Sequence, residues 1–196
     1  MNAIAEKFEQ FEWLTHGITA KSPQFGSDVQ GTGEKPLDYQ DRLGAIASME
    51  TQLEKSITSV IIFGQNSKSD FEFVQNHLAK IMIANALSDK RREPEGIQLD
   101  YLAVLIARMV IDFSIDPELE NNFTAQGRLY YAGIRTHQMS VDQYRKTWKQ
   151  YENMMVIALE TSIKCASEAI EKYRKNTYKD TEQRTKIQAS KRWGWC

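Results

Sequence analysis

The sequence predicts an all-α fold, a multi-helix bundle whose C-terminal helix-turn-helix-like unit leads into one long helix. Three observations predict it. Apolar residues recur every three or four positions through most of the 196 residues, which is the period of a helix with one buried face. Capping residues and glycines stand at the joints between these stretches. No run alternates apolar and polar residues between turn signals, as a half-buried strand would.

Ile4, Phe8, Phe11 and Leu14 place a first helix from Ala3 to Leu14, within an N-terminal unit of residues 1–16. The stretch from Gly17 to Asp38 carries four glycines and two prolines with little periodicity, so a flexible loop is expected over 17–38. Leu43, Ile46, Leu53, Ile57 and Val60 then predict one helix from Tyr39 to Phe63, closed by Gly64. Ser69-Asp70-Phe71-Glu72 fits a capping box, in which hydroxyl and carboxylate each accept a free backbone N–H. A helix should therefore start at Asp70 and run to Leu87, with Phe71, Val74, Leu78, Ile81 and Met82 facing inward.

After the charged loop SDKRREPEG, the segment from Leu99 to Phe113 has the densest apolar content and is the expected central helix. Asp116-Pro117 reads as an N-cap followed by proline in the first turn, opening a short helix to Asn121. Residues 39–122 thus form an acidic helical body. Thr124 caps a helix from Ala125 to Ala132, Gly133 ends it in the left-handed conformation, and Ile134 plugs the joint. Ser140 and Gln143 form a second capping box. The helix it opens should run from Val141 to about Lys175, on the order of 50 Å at 1.5 Å per residue. Tyr144, Trp148, Tyr151, Met155, Leu159, Ser162, Ala166, Ala169 and Tyr173 trace its stripe. Small residues in that stripe would let another helix approach, in the same chain or in a second copy as a homo-oligomer. Residues 123–178 hold this unit, and 179–196 form a basic, tryptophan-containing tail.

Charge and motifs limit the function classes. Residues 128–196 hold 14 Lys and Arg against 7 Asp and Glu, a local +7; the whole chain holds 25 against 26, which leaves 11 against 19, or −8, for residues 1–127. A basic end of this kind supplies an electrostatic footprint for double-stranded DNA, while the acidic part repels it or faces a protein. Cys165 and Cys196 suit a reducing compartment, and no Cys/His spacing suggests zinc or any other metal. No phosphate loop, dinucleotide fingerprint or hydrolase motif occurs, so neither an enzyme nor a cofactor is expected. The apolar stretch YLAVLIARMVI is short for a membrane span and contains Arg108. The N-terminal MNAIAEKFEQFEW lacks the pattern of a secretion signal, so a cytoplasmic location is expected.

The second helix of the turn unit exposes Gln143, Arg145, Lys146 and Lys149 between apolar positions. Near the start of a groove-bound helix, Gln143 and Arg145 suit base edges, and Arg135, His137, Lys146 and Lys149 suit phosphates. Tyr144 and Trp148 either pack the unit onto the body or lie against sugars. Trp193 and Trp195, beside Lys191 and Arg192, suit stacking on bases or docking in a partner's groove. Two packed core helices with an ordinary solvated face would give the same outline, and a protein-interaction module without DNA binding is the alternative function.

AGI, a polar turn and YRKTWKQYE resemble the C-terminal helix-turn-helix region of small bacteriophage regulators, including late-gene antitermination proteins of the Q type; FEWLTHGITAKSP is similar to the opening of some of them. The resemblance implies a phage transcription regulator that binds DNA near a promoter and acts on RNA polymerase in the host cytoplasm. Leu129 departs from the small residue of a tight turn unit, the turn is longer, and the cysteine zinc site of another branch is missing.

Overall fold

The structure, a computed structural model, describes residues 3–15 and 39–193. The expected loop at 17–38, Trp195 and the side chain of Trp193 lie outside the described residues. Every regular element among the described residues is helical: α1 (Ala3–Thr15), α2 (Tyr39–Ala47), α3 (Gln52–Phe63), α4 (Lys68–Ser88), α5 (Leu99–Ile115), α6 (Pro117–Asn121), α7 (Ala125–Ala132), α8 (Val141–Gln143) and α9 (Lys149–Trp193). A single π turn, Tyr144–Trp148, joins α8 to α9 without a break.

Two boundaries differ from the sequence reading for reasons of capping. The helix expected from Tyr39 to Phe63 is two helices, because Thr51 and Glu54 form the reciprocal box that starts a new one. The Glu54 N–H donates to Thr51 Oγ1 at 3.1 Å, and the Thr51 N–H donates to Glu54 Oε2 at 3.3 Å. Ser69 is not the cap of α4; Ser67 holds that position and its hydroxyl donates to Asp70 Oδ2 at 2.7 Å. Asp116 caps α6 as expected, accepting from the Leu119 N–H with Pro117 in the first turn.

Burial explains the layering. In α5, eleven of the seventeen residues are buried and only Asp100 and Tyr101 in its first turn are well exposed, which makes it the central helix that its composition predicts. Around it, α4 and α9 pack along its length and α6 and α7 cover its C-terminal part. The inward stripe of α9 runs Tyr151, Met155, Leu159, Ile163, Ala166 and Ile170. Ile163 and Ile170 take the places expected for Ser162 and Ala169, the larger apolar neighbour being the one turned inward in each case. Each large apolar side chain so enclosed contributes about 1.5–3 kcal/mol from burial.

The long helix serves its own chain. It packs against α1, α2, α3, α4 and α5, and Tyr173 sits so close to Gly44 of α2 that a Cβ there would overlap its hydroxyl. Past Lys175, where the sequence suggested an end, α9 continues to Trp193. Its 45 residues span on the order of 67 Å.

Candidate nucleic-acid interface

Two loops build the site. The first leaves α7 through a Schellman motif: Gly133 lies at φ 97°, its N–H donates to the Tyr130 carbonyl at 2.9 Å, and the Ile134 N–H donates to the Leu129 carbonyl at 2.8 Å. Leu129 and Ile134 are both buried, the apolar contact that accompanies this cap. Thr124 starts the same helix by accepting from the Gly127 N–H, and Ser140 starts α8 by accepting from the Gln143 N–H. Between them the chain is tightened by Gln138, whose Oε1 accepts from the Arg135 N–H at 2.9 Å.

The second loop leaves α4 by the same motif, with a lysine where glycine is usual. Lys90 lies at φ 52°; its N–H donates to the Leu87 carbonyl at 3.0 Å, and the Arg91 N–H donates to the Ala86 carbonyl at 2.9 Å. Tyr151 fixes this loop to α9. Its hydroxyl donates to Asp89 Oδ2 at 2.7 Å and accepts from Arg91 Nε at 3.2 Å. Farther along, Gly96 meets the other loop backbone to backbone: a Cβ on Gly96 would stand 2.6 Å from both Cα and O of Gln138.

Where the loops meet, they enclose a cleft of about 710 Å³ whose walls include Lys90, Arg91, Arg92, His137, Gln143 and Thr147. Asp89, Glu93 and Glu95 line it too, as many acids as there are Lys and Arg, and the buried residues Trp148 and Met139 complete the lining. Among the described residues, neither Lys90 nor Arg92 forms an ion pair.

The residues expected to meet DNA divide into three groups. His137 and Gln143 line the cleft. Arg135, Arg145 and Lys146 are exposed but lie outside its lining. Lys149 is drawn inward instead, its Nζ donating to Glu152 Oε1 at 2.7 Å. Tyr144 and Trp148, 5% and 1% exposed, pack the unit onto the body and offer nothing to sugars.

Glu152 holds both Lys149 and Tyr144. Buried to 1% exposure, it accepts from Lys149, from Arg128 Nη2 at 2.6 Å and from the Tyr144 hydroxyl at 2.6 Å. Arg128 also pairs with Glu120 and stacks over the Phe113 ring. Burial first, and then the nearby Glu152 charge, push the Tyr144 phenol well above its ordinary value. The charges in this network cancel one another, so it orients the helix start and leaves no charge over for a ligand.

Lys90, Arg91 and Arg92 are the cleft residues that sequence reasoning missed. Their only signal was a charge run inside a Pro- and Gly-containing loop; nothing local places that run beside His137. Among the described residues no group of three or more His, Cys, Asp or Glu is placed to hold a metal, and no helix is long and apolar enough to cross a membrane. No protein-family model, curated protein or solved structure matches the chain.

Proposed function

We propose that the cleft and the exposed start of α8 form a nucleic-acid-binding surface. The observation that carries this reading is the convergence of Lys90, Arg91 and Arg92 with His137 and Gln143 across the Gly96–Gln138 contact. Lys90, Arg91 and Arg92 crowd one short loop beside Asp89, Glu93 and Glu95, and a polyanion that reaches these cations releases its counterions to them. Arg135, Arg145 and Lys146 extend the basic surface beyond the cleft, and Gln143, at the first turn of a capped helix, suits a base edge. By its resemblance to phage regulators alone, the same contact belongs to a transcription regulator working with RNA polymerase.

Retardation of labelled duplex DNA tests the reading. The wild-type chain should retain duplex at about 50 mM salt and release it steeply as salt rises, and the double variant Lys90→Glu/Arg92→Glu should abolish retention. A wild-type chain that holds no duplex at low salt ends the proposal.

A second reading, a protein-interaction module, draws on a different place. Val60, Ile61, Phe71 and Ile115 line an apolar groove of about 590 Å³, with Asp112 and Glu72 at its edge, and such grooves accept amphipathic partners. Recovery of one dominant protein despite nuclease treatment, lost on Ile61→Asp, would favour it.

A further inference from the structure

We propose that the groove between α3, α4 and α5 binds a small ligand made of an apolar body and one primary ammonium group, the ammonium meeting Asp112 and Gln75. The groove is the one named in the second reading above. The inference stands apart from the nucleic-acid surface, because no residue lines both the groove and the cleft.

Its volume of about 590 Å³ falls in the range of small-molecule sites, about 300–1,000 Å³, whose walls are mostly apolar with a few polar groups that fix orientation. Val60 and Ile61 come from α3, Phe71 from α4 and Ile115 from α5, and the last three keep part of their surface uncovered. The groove opens beside Gly64, where a Cβ would meet nothing within 4 Å.

The polar part of the lining offers acceptors that the chain leaves open. Asp112 Oδ2 accepts from the Tyr131 hydroxyl at 2.9 Å, while Oδ1 accepts no hydrogen bond among the described residues and is not sealed from solvent. Gln75 Nε2 donates to the Val104 carbonyl at 3.0 Å, which leaves Oε1 as a second open acceptor. Arg108, one turn before Asp112, gives its Nη2 to the Tyr131 and Ala132 carbonyls and forms no ion pair with the aspartate. Burial raises the Asp112 carboxyl above its ordinary value and outweighs both the Tyr131 bond and Arg108. Such a carboxylate carries a desolvation cost that the chain itself does not offset, and an incoming cation would offset it.

The other charges of the lining leave this one unanswered. Lys68 and Glu72 are exposed and stand one turn apart on α4, a spacing at which opposite charges balance. An ammonium brings three donors and no acceptor, which suits Asp112 and Gln75. An anionic head would meet acceptors and a like charge.

Calorimetric titration of the full chain with phenylbutylammonium, phenylbutanol and phenylbutanoate, which share one apolar body, tests the proposal. The wild type should bind the ammonium about tenfold more tightly than the alcohol, and the carboxylate least. In Asp112→Asn, which keeps an acceptor for the Tyr131 hydroxyl, the ammonium and the alcohol should bind within about twofold of each other. Glu72→Gln should keep the wild-type preference, and circular dichroism should show both variants as helical as the wild type. In the wild type the ammonium should move the amide resonances of Gly64 and Gln75. An ammonium held no better than the alcohol, a preference that survives Asp112→Asn, resonance changes confined to other parts of the chain, or no binding of any probe each overturns the proposal. Capture of a protein that Ile61→Asp releases, with no preference for the ammonium, would overturn it in favour of a protein occupant. Duplex retention bears on none of these outcomes, so the nucleic-acid reading stands or falls separately.

Discussion

Tyr144 and Glu152 stand eight residues apart on one continuous helix and still meet, the tyrosine hydroxyl donating to Glu152 Oε2 at 2.6 Å. In a regular α-helix, residues at this separation point about 80° apart. The π turn between them brings both to the same buried face, and Arg128 and Lys149 converge there. Removing the carboxylate would strand two cations at the edge of the core. Glu152→Ala should therefore destabilise the chain by about 3 kcal/mol, the low end for a broken buried pair because Lys149 and Arg128 keep access to water. Glu152→Gln should cost less. Urea unfolding at an unchanged m-value is the measurement, and equal midpoints for Glu152→Ala and wild type would refute the account.

Alkaline stability should depend on Tyr144. Its folded-state pKa lies well above the unfolded value because burial and Glu152 oppose the phenolate. The stabilisation is therefore complete below about pH 10, the unfolded pKa, and is lost as pH rises through the folded one. Tyrosinate absorbance from Tyr144 should appear only together with loss of helix; in Tyr144→Phe the stability should fall less between pH 9 and 12.

Lys90→Gly should raise stability by about 1 kcal/mol, since a lysine at φ 52° carries the left-handed penalty that glycine avoids. The same substitution removes a cleft cation, so its duplex salt slope should shrink by about one charge. Lys90→Gln separates the effects, losing the charge while keeping the backbone penalty. A melting temperature below wild type for Lys90→Gly would contradict the strain.

Gly96→Ala should lower stability by about 1–3 kcal/mol, because its methyl group has only the Gln138 backbone to displace. The two loops would part, and duplex retention should weaken although no charge is altered. Unchanged retention would show that the loops need not touch for the surface to work.

What could be read from the sequence was what is decided within a few residues. Thr124, Gly133, Ser140 and Asp116-Pro117 mark their helix ends by bonds to neighbours three to five positions away, and the structure has them in those roles. The break before α3 was hidden because Leu53, Ile57 and Val60 continue the spacing set by Leu43 and Ile46, masking the Thr51–Glu54 box. At the site, exposure of Arg135, His137, Gln143, Arg145 and Lys146 followed from their polarity. Lys149 did not follow, because its partner Glu152 is buried through a shift of helical phase that no residue pattern announces. Least legible was the joining of Lys90–Arg92 to His137, which depends on how α4, α5 and α7 pack and on the absence of a side chain at Gly96.

The helix on which most of this bundle leans, α9, comes after all the others along the chain. Phe11, Trp13 and Leu14 of α1 are buried, and α1 through α5 all lean on α9. A growing chain on the ribosome therefore carries those apolar faces unshielded until residues as late as Ile170 emerge. At about 5–20 residues per second, the interval between the first helix and the one that covers it is on the order of ten seconds. Until then the earlier helices cannot complete their packing, and holding chaperones have that long to engage the nascent chain.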